Sequence, residues 1–402
     1  MKLLSLISLS LLALGPNLIA QEFEAPVAGP SNGYINAPSP FVPTGKELLN
    51  GLQIGLGTSF VYDSNIFQAP DTLAAPAESD MILSVSPSIA YRTQGARWFL
   101  GANVGLDYRS YFSNTDLSGL GYDGGVNFAY SGRPLTVQGA FTYSLSQGSN
   151  RFYGNPGTKT HNFGTSLSAS FRFSAKTSLD ARYSYRWSER DQTAFGANST
   201  TSFDISALWK ATPLTTIGPG VAWSFNSGDR LGGRQTVGPI IRLKYKLAKK
   251  VALDGTFGMD FVEYDNGGSG DPTFSTRLGV NYRASSLWGM NLSIFKGTSS
   301  DGSVAGAYRD TTSFRLGYNR RIRRASLGLG VSYDMDDYTR STGIAVGGNR
   351  SRDYFSFDTS LGMAVFRNRA NVSTFASWRQ ETGGGRGDWD GFQTGFSVSS
   401  KF

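Results

Sequence analysis

The sequence of 402 residues contains no cysteine and only one histidine, His161. One histidine without cysteine cannot form a zinc site of the usual kinds, and the absence of cysteine argues against a small disulfide-stapled domain. Beyond residue 20 there is also no run approaching the roughly 20 apolar residues that a membrane helix needs. Hydrophobic residues make up 39% of the chain and the mean hydropathy is −0.24, so hydropathy alone would assign the chain to soluble proteins.

The first 20 residues predict an export signal. Lys2 supplies the positive charge, an apolar stretch runs from Leu3 to Leu14, and cleavage is expected before Gln21. The alternative is a membrane anchor, but the stretch is short and Gly15-Pro16 interrupts it. No cysteine follows the cleavage point, which excludes a lipoprotein anchor. The signal also places the chain away from nucleic acid, despite its formal net charge of +8.

Residues 21–50 predict a periplasmic leader. The segment contains Ala25-Pro26, Gly29-Pro30, Ala37-Pro38, Ser39-Pro40 and Val42-Pro43. Such a composition is typical of a linker, since it holds too few apolar residues to form a core.

From residue 51 to residue 402 apolar and polar residues alternate with a period of two, which predicts strands with one apolar face. In the first strand the apolar set is Leu52, Ile54, Leu56, Phe60 and Tyr62. Fifty glycines and 53 aromatic residues also favour antiparallel β-structure over helix. The sequence therefore predicts an all-β fold over this whole region.

Short turns alternate with longer connections along the chain, which predicts about 18 strands of roughly 10 to 14 residues. This is the pattern of an up-and-down antiparallel transmembrane β-barrel, with short periplasmic turns, longer outer loops and both chain ends in the periplasm. A soluble sandwich is the alternative, but the chain offers no second layer to cover its apolar face. Aromatic residues recur near both ends of the predicted strands, as expected for two membrane-interface girdles.

Three prolines lie inside the predicted strands: Pro87, Pro219 and Pro239. Because proline cannot donate a ladder hydrogen bond, bulges, strand ends or shifted boundaries are expected there.

Two sequence features carry a family resemblance. The chain ends in Phe402, which is similar to the terminal signal that outer-membrane barrels present to the barrel-insertion machinery. The stretch Tyr62-Asp63-Ser64-Asn65-Ile66-Phe67 resembles the opening strand and loop of the second β-barrel porin family of Gram-negative bacteria. The resemblance in motif covers only Ser59 to Phe67. It implies a porin-like barrel, and some relatives accompany polysaccharide-export systems.

No catalytic or cofactor motif stands out. His161 has no recognisable nucleophile motif around it, and the acidic run Asp334-Met335-Asp336-Asp337 lacks the spacing of a calcium loop. The triple glycine at 383–385 precedes no helix, so it is interpreted as a loop tip. We therefore expect neither enzymatic activity nor a cofactor or metal, and an outer-membrane hydrolase is the last of the functions considered.

Charged residues occupy the face opposite the aromatic residues, which in a barrel is the lumen. The basic members taken as candidate selectivity residues are Arg109, Arg172, Arg182, Arg186, Arg242, Lys244, Lys246, Arg277 and Arg315. Arg242, Lys244 and Lys246 would form a ladder on one wall, and Asp254 and Asp260 of the next strand are candidate counter-charges for it. One interpretation is a wall that carries both signs only to stay hydrated. The other is a basic periplasmic entrance that concentrates anions, because fields are focused in a low-dielectric channel.

The sequence thus predicts a porin-like channel of the outer membrane for hydrophilic, preferably anionic, solutes. The alternatives are a secretion channel for an anionic exopolysaccharide and a surface-binding barrel, although the predicted loops are small for surface binding. The expected partners are outer-membrane lipid and lipopolysaccharide, the insertion machinery that reads Phe402, and, for secretion, a periplasmic export partner. The sequence leaves the solute, the pore radius and the oligomeric state open.

Overall fold

The computed structural model describes residues 51–70, 77–147, 159–191, 197–228, 233–248, 250–265, 267–300, 307–340, 351–366, 369–383 and 387–402. The predicted signal at 1–20 and leader at 21–50 lie outside these residues. Among the described residues no helix is long and apolar enough to cross a membrane.

Eighteen antiparallel strands account for nearly all of the described chain. They are β1 Gly51–Asp63, β2 Asp80–Gln94, β3 Trp98–Tyr111, β4 Gly119–Ser131, β5 Leu135–Gln147, β6 Lys159–Arg172, β7 Thr177–Arg190, β8 Ala197–Lys210, β9 Thr215–Gly228, β10 Arg234–Ala248, β11 Val251–Tyr264, β12 Ser269–Arg283, β13 Trp288–Ser300, β14 Ala307–Ile322, β15 Ala325–Arg340, β16 Ser351–Val365, β17 Ala370–Thr382 and β18 Trp389–Lys401. A single turn of 3-10 helix, Thr115–Leu117, lies between β3 and β4.

Each strand pairs with its neighbours in sequence, and β1 also pairs with β18. The pairing of first and last strands closes the sheet, so no strand is left with a free edge. The fold is the predicted up-and-down barrel with 18 strands. The strands have 13 to 16 residues, longer than expected. The acidic run Asp334–Asp337 lies within β15, where Asp336 is buried.

The apolar face of the barrel points outward. Trp98, Phe173 and Trp209, near one set of strand ends, and Phe112 and Phe274, near the other, are 48 to 63% exposed. The band between them is also apolar and exposed, with members on most strands. A water-soluble protein would bury such a band, whereas a closed barrel in lipid exposes it, because only closed barrels and helices satisfy every backbone group inside a membrane. The fold is that of a transmembrane barrel.

The connections differ on the two sides of the barrel. Eight turns of two to four residues lie on the side that holds both ends of the barrel, and connections of four to sixteen residues lie on the other side. Outer-membrane barrels have this asymmetry, with the short turns in the periplasm. We refer to the two sides as the periplasmic and outer ends.

The three strand prolines behave differently from the expectation. None ends a strand or causes a bulge: the β2–β3, β8–β9 and β10–β11 ladders are each interrupted for two residue pairs, and the register on either side is unchanged. Each proline still sits opposite a residue of its other neighbour, at Leu56, Ile241 and Val221. A proline with its nitrogen toward only one neighbour removes one ladder bond and leaves the other neighbour's pairing intact. The expected bulges, strand ends and boundary shifts were therefore wrong.

The topology is tested by labelling, because the chain has no cysteine of its own. A single cysteine at exposed Asp116, in the outer loop before β4, should react with a membrane-impermeant maleimide in intact cells. A cysteine at exposed Arg133, in the turn between β4 and β5, should react only after the outer membrane is permeabilised. The reverse pattern would contradict the assignment of the two ends.

Candidate functional site

The inner face of the barrel carries the polar half of each strand. The register places all nine candidate basic residues on this face, because each stands opposite an inner-face residue of the next strand, as Arg182 does with Asp204 and Arg277 with Thr256. Phe402 lies at the periplasmic end with its side chain 80% exposed.

The charge on the inner face is divided unequally around the barrel. On the described part of β6 to β12, eleven inner-face residues are basic and four are acidic. The basic residues are Arg172, Arg182, Arg186, Arg190, Lys210, Arg234, Arg242, Lys244, Lys246, Arg277 and Arg283, and the acidic residues are Asp180, Asp204, Asp254 and Asp260. This wall, which we call the basic wall, has a surplus of seven positive charges.

The described part of the other eleven strands has six basic and eight acidic residues on its inner face. The basic residues are Arg92, Arg109, Arg315, Arg321, Arg352 and Arg379, and the acidic residues are Asp63, Asp80, Asp107, Asp123, Asp334, Asp336, Asp358 and Glu381. The two walls therefore differ in sign, and a field runs across the lumen from the basic wall. Such a field acts strongly on solutes where low-dielectric walls focus it.

Glycines on the inner face of β9 allow basic side chains of β10 to reach carboxylates on β8 and β7. Its inner-face residues Gly218 and Gly220 pass so close to β8 that a Cβ atom on either would lie within 2.5 Å of β8 atoms. With no side chains in the way, Arg242 of β10 reaches across β9 and forms an ion pair with Asp204 of β8. Lys244 reaches further, to 4.0 Å from Asp180 of β7.

Asp254 and Asp260, the candidate counter-charges, do not form the ion pairs of this ladder. Asp254 stands opposite Lys244 in the register, yet the ion pairs of the ladder run to Asp204 and Asp180 on the other side. Asp260 instead accepts a hydrogen bond from Ser275 at 3.1 Å. Lys246, the third member of the ladder, is exposed near the periplasmic end and forms no ion pair within the described part of the chain.

The other candidate residues fall into different settings. Arg109 is fixed by Asp107 at 2.6 Å and by the carbonyl oxygen of Gln147 at 3.1 Å. It is thus held at the wall near the outer end of β3. Arg172 lies at the periplasmic end of β6, and Arg315 lies midway along β14 between two serines of neighbouring strands. The structure therefore separates Arg109, Arg172 and Arg315 from Arg182, Arg186, Arg242 and Arg277, which line one recess.

The motif that carries the family resemblance has a structural role that its sequence pattern did not indicate. After β1 the chain folds back over the inner face, where Ile66 is fully buried against Val61, Ile82 and Phe375. Asn65 holds this segment in place, since its amide donates to the carbonyl oxygens of Ala69 at 2.8 Å and Asp390 at 2.9 Å. The motif therefore covers the inner face near the outer end with a small buried apolar cluster and links β1 to β18.

A chain of polar contacts continues from the motif along the seam between β1, β17 and β18. Gln393 donates to the buried carboxylate of Asp63, and Arg379 donates to Gln393 at 2.6 Å. The hydroxyl of Ser64 accepts from the backbone nitrogen of Phe392 at 2.8 Å. Asp63 and Ser64 lie more than 300 residues away in sequence from their partners Gln393 and Phe392, so spacing gave no signal of these contacts.

His161 has two polar partners among the described residues. It lies near the outer end of β6 with Tyr143 Oη 2.8 Å from Nδ1 and Asp191 Oδ1 3.3 Å from Nε2. The register places it opposite Leu145, on the lipid-facing side of the wall. The contacts are those of a polar residue at the outer membrane interface.

No protein-family model matches the chain, and no characterised protein matches it in sequence. Among solved structures, the chain is similar to OccAB4 of Acinetobacter baumannii, with 12% identity, a TM-score of 0.46, and 88% of this chain and 99% of that chain covered. It is also similar to OpdK of Pseudomonas aeruginosa with vanillate, with 11% identity, a TM-score of 0.44, and coverage of 87% and 98%. A bacterial polysaccharide outer membrane secretin has 10% identity, a TM-score of 0.36 and coverage of 88% and 99%. At these values the assignment of the barrel rests on the register and the apolar band of the chain itself.

Proposed function

We propose that this porin-like barrel of the outer membrane is a passive channel that favours anionic hydrophilic solutes. The observation that supports this most is the surplus of seven positive charges on the described inner face of β6 to β12. A closed barrel of 18 strands falls in the size range that leaves an aqueous channel between its walls. Fixed cations along one wall raise the local concentration of anions and lower that of cations.

The position of the unneutralised charge supports the same proposal. Arg242 and Lys244 are largely compensated by Asp204 and Asp180, but Lys246 is not paired within the described residues and lies near the periplasmic end. Lys210 and Arg283 lie at the periplasmic ends of β8 and β12. Anions on the periplasmic side therefore meet these cations of the basic wall first.

Ion selectivity tests the proposal. In planar bilayers with a salt gradient, the wild-type channel is expected to show a reversal potential on the anion-selective side. The variant Lys246→Glu should shift it toward cation selectivity, most clearly at low salt, where the Debye length is about 30 Å at 0.01 M. Lys159→Glu, which makes the same charge change at the outer end of β6 on its lipid-facing side, serves as the control.

An unchanged reversal potential in Lys246→Glu would remove the proposed anion pathway and leave a wall that is merely hydrated. An equal shift in Lys159→Glu would show that the effect comes from the net charge of the molecule. The experiment thus separates a local effect in the lumen from a general one.

The basic periplasmic end also supports a second candidate, secretion of an anionic polysaccharide, because a polyanion released into the periplasm would meet the same lysines and arginines first. The two candidates differ in the size of the solute that the channel passes. A short acidic oligosaccharide that blocks the open current from the periplasmic side only, with block relieved at higher voltage as the chain passes through, would favour secretion. Block that voltage cannot relieve would favour small solutes.

A further inference from the structure

One recess in the basic wall gathers most of its arginines. Arg182, Arg186, Arg242 and Arg277 line this recess of about 250 Å³, which lies on the inner face between β7 and β13. In the register, Arg242, Thr256, Arg277 and Phe295 follow one another across β10 to β13. We call this feature the arginine recess.

The carboxylates of the arginine recess do not balance its arginines. Asp204 is held by Arg242, and Asp260 accepts the hydroxyl of Ser275. Arg182 and Arg277 form no hydrogen bond or ion pair with any residue that the structure describes, and Arg277 is exposed to the lumen. Four guanidinium groups against two carboxylates leave a surplus of two positive charges where a solute passes.

The geometry of Arg277 adds a second, independent observation. Its guanidinium carbon lies 5.8 Å from the centroid of the Phe295 ring, within the range of a cation–π contact. Phe295 lies on the inner face of β13 beyond Asn291 and Ser293, whereas Leu292 and Ile294 of the same strand face lipid. The ring restrains the guanidinium, whose donor edge remains available, and a restrained arginine loses less conformational entropy when it binds an oxyanion.

Serine and threonine hydroxyl groups form much of the remaining lining of the recess. They are arranged in cross-strand pairs, with Ser184 and Ser202 at 2.6 Å and Ser224 and Thr236 at 2.6 Å. Thr200 donates to Asn226 at 2.8 Å. A hydroxyl that takes part in one hydrogen bond keeps further acceptor capacity, so the lining offers regularly spaced partners to a solute with several hydroxyl groups.

From this arrangement we infer that the arginine recess is a transient binding site for small hydroxylated organic anions, of the size of a single sugar, that carry a carboxylate or phosphate group. The oxyanion is bound by Arg277 and Arg182, since a planar guanidinium donates two parallel hydrogen bonds to a carboxylate or phosphate. The sugar hydroxyls contact the serine and threonine lining. The inference rests on the proposed channel function and adds a site and a solute class to it.

The size of the recess supports the solute class. Pockets that take drug-sized ligands usually have roughly 300 to 1,000 Å³, so a recess of about 250 Å³ suits a smaller molecule. A wider recess of about 620 Å³ lies between β1 and β4 and along β17 and β18, nearly opposite in the strand order. Its lining includes Asn103 and Asn127, and the carboxylates of Asp107 and Asp123 are matched by Arg92 and Arg109, so this recess has no surplus of positive charge. A sugar with one anionic group would therefore turn that group toward the arginine recess.

Channel block measures binding at the recess. Galacturonate and glucose 6-phosphate, added separately to single wild-type channels at low salt, are expected to reduce the chloride current in a saturable way, while glucose is expected to do so only at much higher concentration. The two anions distinguish a carboxylate from a phosphate as the bound group. The double variant Arg182→Gln/Arg277→Gln should weaken the apparent affinity by about tenfold or more, the scale of one lost charge-assisted hydrogen bond.

Control variants and the ion selectivity distinguish failure of binding at the arginine recess from failure of the proposed channel function. Arg97 is exposed in the periplasmic turn between β2 and β3, outside the recess. The variant Arg97→Gln should be blocked by the anions with the same apparent affinity as wild type. Heat-dependent migration in gels checks that each variant is folded. The arginine recess is not a binding site if the anions do not block the wild-type channel. The same conclusion follows if they block the double variant with the same apparent affinity as wild type. Anion selectivity that persists in that case leaves the channel function standing, whereas cation selectivity in wild type removes both.

Discussion

Replacing Asn65 by alanine is expected to destabilise the barrel by about 3 kcal/mol, because its buried side chain makes three hydrogen bonds at the seam and each contributes about 1 kcal/mol. Asn65 is 3% exposed, its amide donates to Ala69 and Asp390, and its Oδ1 accepts from the backbone nitrogen of Ala69 at 3.1 Å. The segment that it holds covers the inner face where β1 pairs with β18. A closed barrel depends on that pairing, so loosening it affects the whole sheet rather than one loop.

The measurement is urea-induced unfolding in detergent micelles or lipid vesicles, followed by tryptophan fluorescence and by heat-dependent gel migration. Asn319→Ala is the matched control, since Asn319 is an exposed inner-face residue of β14. Its loss should change the free energy of unfolding by less than about 0.5 kcal/mol. Equal unfolding midpoints for Asn65→Ala and Asn319→Ala would show that the folded-back segment does not contribute to closure.

Replacing Phe402 by aspartate is expected to remove most of the protein from the outer membrane in cells. The backbone of Phe402 completes the seam, since its nitrogen donates to the carbonyl oxygen of Ile54 at 2.9 Å and its own carbonyl oxygen accepts from the nitrogen of Ile54 at 3.3 Å. Aspartate keeps both of these bonds. It changes only the exposed aromatic side chain, which is the group that we expect the insertion machinery to recognise.

Two assays separate recognition from stability. Levels of Phe402→Asp in isolated outer membranes should fall strongly, with unfolded material in the periplasm, while the purified variant should still fold into lipid vesicles without the machinery. The variant lacking Phe402 also loses the two backbone bonds, so it should be impaired in both assays. Normal levels of Phe402→Asp in cells would show that the terminal aromatic residue is incidental here.

Both effects concern the same seam, where the first and last strands of the barrel meet. At the outer end the pairing is reinforced by Asn65 and by the contacts among Asp63, Gln393 and Arg379. At the periplasmic end it is completed by Phe402 and Ile54. The seam is the one strand pairing of the barrel that joins residues more than 300 apart in sequence, so its closure has the largest loop entropy to overcome. Specific contacts at both ends offset that cost.

The sequence alone was sufficient to predict the architecture. Alternation with a period of two depends on each strand having one face in lipid and one in water, and this constraint acts on every strand separately, so it can be read locally. The strand number, the outward aromatic girdles and the inner-face position of residues such as Arg182 and Arg277 all follow from that local pattern. The turn residues likewise showed which end of the barrel has short connections.

Only the tertiary structure decided which charges neutralise one another and which remain available. Arg242 and Lys244 find Asp204 and Asp180 rather than the aspartates of the next strand, because the glycines of β9 let long side chains cross it. The tertiary structure also showed that the segment from Tyr62 to Phe67 folds back and binds to β18. The contact with β18 joins residues more than 300 apart in sequence. Parity along a strand gives the face of a residue, but the reach of a side chain across neighbouring strands depends on their packing and on the closure of the sheet.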